Sequence, residues 1–387
     1  MKKPLFTALL ATMVWGIACT GHAAEITPEQ ARKATSAAVL PAMAKHQIPG
    51  MAVALVLDGK TWIFNYGVAS LEAQTPVTDE TLFEIGSISK TFTATLATYA
   101  QATGKLSLTD TTAQYLPELA GTDFGNLQLF HLATHTVGGI PLQVPDAVQT
   151  RTQLIDYLRA WKPAYPAGTM RTYANPSIGT LGWIAAKSLG QDFSTAMAQT
   201  LFQPLGLTQT YLHVPAQKMG HYAWGYNKDR QAVRVNPGML DSEAYGIKTT
   251  AADLGTFLKA NMGMLPLDHA LQTALNHTRT RYFSVGQMTQ DLIWEEYALP
   301  VDLATLQAGN STQIILNPTP VSAAAPAPSP RSLVWVNKTG ATNGFGAYVA
   351  FVPEQRFGIV LLANKNYPNP DRVAIAHQIY SHLLGKP

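Results

Sequence analysis

Met51-Ala-Val-Ala-Leu-Val-Leu-Asp-Gly-Lys-Thr-Trp-Ile-Phe-Asn-Tyr-Gly-Val68 reads as two strands folded back on one another. Residues 51–57 are an unbroken apolar run, and residues 61–68 form a second strand. Asp58-Gly59 between them is a two-residue step that accepts the positive backbone angles of a tight hairpin. Before the hairpin, Thr27-Pro28-Glu29-Gln30 is a helix start: Thr as N-cap, Pro in the first turn, Gln closing a capping box. This helix is expected to run to about His46 and to stop before Pro49-Gly50. At the far end, residues 333–338, 346–352 and 358–363 read as three more strands, and residues 371–384 as a closing helix.

The middle reads differently. Residues 87–103, 151–160, 177–190, 193–201 and 250–261 look helical, with long Pro- and Gly-containing loops between them. The expected architecture is therefore α+β: an antiparallel sheet built from both termini and flanked by helices, with a helical lobe inserted. The sheet lobe would take residues 24–85 and 300–387, and the helical lobe residues 86–260, as one domain. Residues 323–330 are Ala/Pro-rich and read as an extended loop. No internal repeat is visible.

Composition narrows the function classes. The chain has 387 residues, 47% hydrophobic and 13% charged, which excludes a disordered chain and a disulfide-stapled mini-protein. A net charge of +3 without any block of like charges gives no reason to expect nucleic-acid binding. Lys2 and Lys3, the mostly apolar residues 5–18, and the small residues Gly21, Ala23 and Ala24 resemble an export signal, cleaved after Ala23 or Ala24. A buried N-terminal helix is the alternative. Loss of residues 1–23 leaves 25 basic and 24 acidic residues, and it removes Cys19, the only cysteine. The exported chain would then have no thiol chemistry. Cys19 could also be read as a lipidation site, although Gly16 stands three before it. No later run is long and apolar enough to span a bilayer, so no stable membrane association is expected.

Three short motifs could carry chemistry. Ser87-Ile-Ser-Lys90 opens an expected helix, where residues three apart share a face. A serine hydroxyl is a weak nucleophile until a base takes its proton. A lysine at a helix N-terminus is pushed toward its neutral form, and the N–H groups there suit an oxyanion. Alone the spacing is common, and Ser89 could equally be an N-cap. Tyr173-Ala-Asn175 comes second. Two neighbouring ammonium groups would lower a phenol's pKa enough for it to act as a base, and Asn175 could hold a lysine or a substrate amide. Its plain alternative is a loop tyrosine before a helix start. Lys338-Thr339-Gly340 ends an expected strand. Gly340 leaves the strand edge open to a substrate, Thr339 and Lys338 can hold a carboxylate, and the N–H of Ala341 can complete an oxyanion hole. An ordinary polar strand end is its alternative.

Together, and in this order, the motifs resemble the serine β-lactamases and penicillin-binding proteins. Tyr-Ala-Asn in the middle position is similar to the class C β-lactamases, as are residues 131–143, 241–248 and 362–369, so the resemblance covers essentially the whole mature chain. It implies the β-lactamase/transpeptidase-like fold and a single catalytic domain. It also implies a monomeric periplasmic hydrolase of small-molecule β-lactams that needs no cofactor and no metal. Ser87 would be acylated, with Lys90 and Tyr173 sharing the proton transfers. Gln143 and Asn175 would meet the acylamino side chain, and Tyr245 would line the pocket. Lys338, Thr339 and Asn369 would surround the substrate carboxylate, with Arg372 a further candidate. His135 stands where the family commonly has Tyr, and Asn343 is a second departure. The Glu-x-x-Leu-Asn element of class A enzymes is absent, which fits a deacylating water activated by Tyr173. A D-alanyl-D-alanine peptidase, a family VIII-type esterase and an inactive sensor on the same scaffold are the rivals. His131 and His135 could share a helix face as metal ligands, but no third ligand is evident. Gly344-Phe-Gly346 reads as turn chemistry, and Trp161 and Trp183 as packing.

Overall fold

The computed structural model describes residues 26–324 and 330–385. The expected export segment with Cys19 lies outside the described residues, as do residues 325–329 of the Ala/Pro-rich stretch. A ten-stranded sheet organises the rest. In chain order its strands are β1 Gly50–Leu57, β2 Lys60–Ser70, β3 Thr75–Pro76, β4 Phe283–Val285, β5 Met288–Gln290, β6 Glu295–Ala298, β7 Ser322–Ala323, β8 Val334–Ala341, β9 Gly346–Val352 and β10 Phe357–Ala363. In space they run β7-β4-β5-β6-β8-β9-β10-β1-β2-β3, and every neighbouring pair is antiparallel. The helices used below are α1 Pro28–His46, α2 Ser89–Ala102, α3 Arg151–Ala160, α4 Asn175–Ser188, α5 Asp241–Ala244, α6 Ala251–Asn261, α7 His269–His277 and α8 Asn369–Leu384.

The hairpin forms as its turn residues dictate. Asp58 and Gly59 adopt φ of 49° and 86°, and Leu57 faces Lys60 across the turn. Positive φ at both positions matches the right-handed twist of the strands it joins. β1 then lies between β2 and β10, with Met51 opposite Ala363 and Leu57 opposite Phe357. Its apolar run is continuous because both faces are covered. Met51, Val53 and Leu55 pack with Val39 of α1 and Ile379 of α8, while Ala52 and Ala54 belong to the opposite core with Phe92 of α2 and Leu254 of α6. Each of the larger side chains gains roughly 1.5–3 kcal/mol from burial. The expected capping box of α1 is present: Gln30 N–H donates to Thr27 Oγ1 at 3.2 Å and Thr27 N–H to Gln30 Oε1 at 2.8 Å.

α2 is the central helix, buried along almost its whole length and packed against α4 and α7. Its many threonines tolerate that burial because they satisfy their own hydroxyls. Thr91 donates to Ile88 O, Thr95 to Thr91 O and Thr98 to Ala94 O.

Several readings of the middle need correction. β4, β5 and β6 come from residues 283–298, where no strand was expected, and they extend the sheet beyond β8. β4 and β5 are only three residues long, and Gln290 in β5 and Glu295 and Glu296 in β6 are polar yet buried. Their partners Arg171 and Arg279, with the half-exposed Arg331, lie elsewhere in the chain. α7 was not anticipated. The helix expected over 193–201 ends at Met197 and continues as a wider π turn, Ala198–Phe202. Among the described residues no helix is long and apolar enough to cross a membrane.

Candidate active site

Ser87 sits in a single tight turn, Gly86–Ile88, that runs straight into α2. Two glycines let β8 lie against that turn. A Cβ on Gly340 would stand 1.9 Å from Ile85 O, and one on Gly86, where φ is 50°, would stand 2.5 Å from Ala341 N. With both side chains absent, the end of β8 reaches the turn that holds Ser87. The motif Lys338-Thr-Gly340 thus lies beside Ser87 although some 250 residues separate them in the chain.

Lys90 is the second residue of α2, fully buried, and its Nζ donates to Ser87 Oγ at 2.9 Å and to Ala244 O at 2.8 Å. Burial pushes its ammonium down to about 8. Lys338 pushes it the same way, and Tyr173 opposes them. The carbonyl of Ala244 belongs to the end of α5, which Thr93 also grips by donating to Glu243 O.

Tyr173 is enclosed by cations. Lys90 Nζ and Lys338 Nζ each lie 5.2 Å from its ring centroid, and Arg171 Cζ lies at 5.5 Å. Its phenol oxygen is buried without a hydrogen bond of regular geometry, yet the Ser87 hydroxyl is close enough to favour the phenolate. Burial alone would raise this pKa. Lys338 and Lys90, helped by Ser87, outweigh it, so the phenol titrates below its ordinary value.

These side chains open on a cleft of about 1170 Å³. Ser87, Tyr173, Lys338, Thr339, Gly340 and Ala341 line its floor and strand side. Gln143, Asn175 and Tyr245 line it as well, with Asn175 Nδ2 donating to Gln143 Oε1 at 2.8 Å, and so does Asn369 at the start of α8. Lys90 stands behind Ser87 and does not face the cleft. Asn343 lines it.

Arg372 corrects an expectation. It is 1% exposed and turns away from the cleft, donating to Gly340 O at 2.7 Å, Ala347 O at 3.2 Å, Asn366 Oδ1 at 2.6 Å and Tyr367 O. Its guanidinium, pushed down to about 10 by burial, braces the back of β8 rather than meeting a substrate carboxylate.

Sequence reasoning missed the group beneath Lys338. Glu295 Oε1 lies 3.0 Å from Arg171 Nη2 and 3.4 Å from Lys338 Nζ, all three side chains at most 4% exposed. Arg171 Nε also donates to Gln290 Oε1 at 2.7 Å. The available signal was Trp294-Glu-Glu296, acids beside a buried tryptophan, but nothing local tells which carboxylate turns inward. Glu295→Ala would strand two cations in a dry site. The expected loss is about 3–5 kcal/mol of stability, read as a lower urea midpoint.

His131 and His135 do not converge on a common point. His131 Nδ1 meets Thr136 Oγ1 at 2.8 Å, and His135 Nδ1 accepts from Ala174 N–H at 3.3 Å. Among the described residues no three His, Cys, Asp or Glu side chains are grouped to hold a metal ion.

Known proteins resemble this chain in sequence and fold. The Beta-lactamase family model matches residues 35–384. A β-lactamase of Pseudomonas fluorescens is 49% identical over 352 residues, covering 91% of this chain and 98% of its own length. That of Escherichia coli K12 is 43% identical over 380 residues, covering 98% and 100%. Among solved structures, a class C β-lactamase in complex with cefoxitin superposes with a TM-score of 0.89 at 48% identity, over 92% of this chain and 99% of that one. A β-lactamase/D-alanine carboxypeptidase from Pseudomonas syringae gives 0.89 at 51% identity, over 91% and 99%. With the family model matched over nearly its whole length and relatives this similar, the chain belongs to the β-lactamase family, and within it to class C.

Proposed function

We propose that the protein is an exported, periplasmic serine β-lactamase that opens cephalosporins and penicillins through an acyl-enzyme on Ser87. The observation that carries this reading is the 2.9 Å contact between Lys90 Nζ and Ser87 Oγ at the floor of the cleft, with Tyr173 caged between two lysines. Ser87 Oγ attacks the lactam carbonyl carbon, and its proton passes to the Lys90–Tyr173 pair. The N–H groups of Ser87 and Ala341 take the oxyanion. The ring C–N bond breaks and the nitrogen receives the proton from Tyr173. Water then attacks the acyl carbonyl as Tyr173 takes its proton, and the bond from the acyl carbon to Ser87 Oγ breaks as Tyr173 returns that proton to Ser87, releasing the ring-opened acid. Thr339, Lys338 and Asn369 hold the substrate carboxylate, Gln143 and Asn175 its acylamino group, and Tyr245 shapes the wall.

The test is turnover of nitrocefin by purified protein. Many turnovers per active site support the reading. A second reading, D-alanyl-D-alanine peptidase, is favoured by the Pseudomonas syringae relative, a β-lactamase/D-alanine carboxypeptidase. It predicts one stoichiometric burst with a β-lactam and then silence. Every group in this mechanism is a protein side chain or backbone amide. Prolonged EDTA treatment is therefore expected to leave the nitrocefin rate unchanged, and a loss restored by zinc would contradict the serine mechanism.

A further inference from the structure

We infer that His135 is a positioning residue for Tyr173, holding the backbone on both sides of that tyrosine. The inference rests on the reading of Tyr173 as the proton-transfer residue. His135 caps the short helix Leu129–Thr134 in the left-handed conformation, φ 59°, a region few side chains adopt without cause. From there its carbonyl accepts from Thr172 N–H at 2.8 Å, and its Nδ1 accepts from Ala174 N–H at 3.3 Å. Its ring centroid lies 4.2 Å from that of Tyr173, tilted by 39°. The tyrosine is thus gripped before, after and across its ring by one residue.

The grip requires a neutral imidazole. A nitrogen that accepts a hydrogen bond carries no proton, so the ring proton sits on Nε2, which is buried without a partner. Protonation would place N–H against N–H at Nδ1 and break the hold on Ala174. Burial, with Arg171, Lys90 and Lys338 around it, keeps the ring well below its ordinary pKa. His135 therefore stays an acceptor while the site works, and it adds no fourth cation beside Tyr173.

The test uses two substitutions that both tolerate positive φ. His135→Gly removes the acceptor and the ring. His135→Asn places an amide oxygen near the position of Nδ1. The groups facing Tyr173 are Ser87 and Lys90 from α2 and its preceding turn, Lys338 from β8, Glu295 from β6, Arg171 from its own segment, and His135. A loosened Tyr173 leaves the field of the two lysines, so its phenolate becomes harder to form. In His135→Gly, kcat/KM for nitrocefin is expected to fall roughly 10–100-fold, with the acid limb of its pH profile moved to higher pH. His135→Asn is expected to recover about tenfold of that loss and to bring the limb back. Equal impairment of both variants, or a slower His135→Gly with an unmoved limb, would mean that His135 only fills space. Tyr173→Phe separates the two ideas. If it turns over normally, the reading of Tyr173 fails. If it is slow while His135→Gly matches wild type, only the inference fails. Nitrogen NMR on the wild type gives an independent check if a variant does not fold. It should show His135 neutral with the proton on Nε2 at every active pH, and a proton on Nδ1 would overturn the proposal.

Discussion

Ser87→Ala is expected to lower β-lactam turnover by on the order of 10⁶, the scale of loss when a serine hydrolase is stripped of its nucleophile. The covalent readout is sharper than the rate. Mass spectrometry of wild-type protein after a slow β-lactam should show one adduct, on the peptide that holds Ser87, and none in Ser87→Ala. The variant should fold normally. Ser87 is only partly buried, and the one side-chain bond it accepts comes from Lys90, which keeps Ala244 O as a second partner. The same adduct in Ser87→Ala would move the nucleophile elsewhere.

Tyr173→Phe is expected to lower cephalosporin turnover about 10²–10⁴-fold, the usual cost of removing a general base or acid. Stability should hold, because the lost hydroxyl is a buried oxygen without a regular hydrogen bond. The sign of the pH dependence follows from the cage. Lys338 and Lys90 lower the phenol's pKa despite burial, so the phenolate is present above that lowered value and lost as pH falls through it. The wild-type acid limb should therefore report Tyr173. In Tyr173→Phe that limb should vanish, and Lys90, deprived of the anion that supports its charge, should titrate below its present value of about 8. Steady-state profiles of both proteins would show this. A limb that survives the substitution unchanged would assign the base elsewhere.

What was legible in the sequence was local. Asp58-Gly59 and the Thr27 capping box act within a few residues, so their composition sufficed. Ser87 and Lys90 meet because three residues along a helix is one face. Tyr173 and Lys338 were found as motifs, and the chain brings both beside Ser87. Groups whose partners are distant were not legible. Glu295 looks like a surface acid until Arg171 and Lys338 are placed against it. β6 was missed for the same reason, since a strand with buried charges has no apolar alternation to read, and β4 and β5, three residues each, are too short to show a period. Arg372 was a candidate for the substrate carboxylate, beside Asn369, through the family resemblance. On a helix those two residues share a side, but no local rule says that four carbonyl and amide oxygens behind β8 draw the guanidinium inward.

The pairing of β1 with β10 also constrains how the protein comes into being. Synthesis is vectorial, so the hairpin of β1 and β2 emerges early with one edge unpaired, an invitation to aggregate until it is covered. Its cover, Phe357–Ala363, is made some 300 residues later. Contacts this distant along the chain make for slow folding, since a long loop must close before they form. The full sheet therefore cannot close until Phe357–Ala363 has been made. Ser87 emerges early, but Lys338 and Ala341 join it only some 250 residues later. A ribosome that stalls before residue 357 releases a chain that carries all its named proton-transfer residues but lacks the strand that joins β9 to β1 in the sheet.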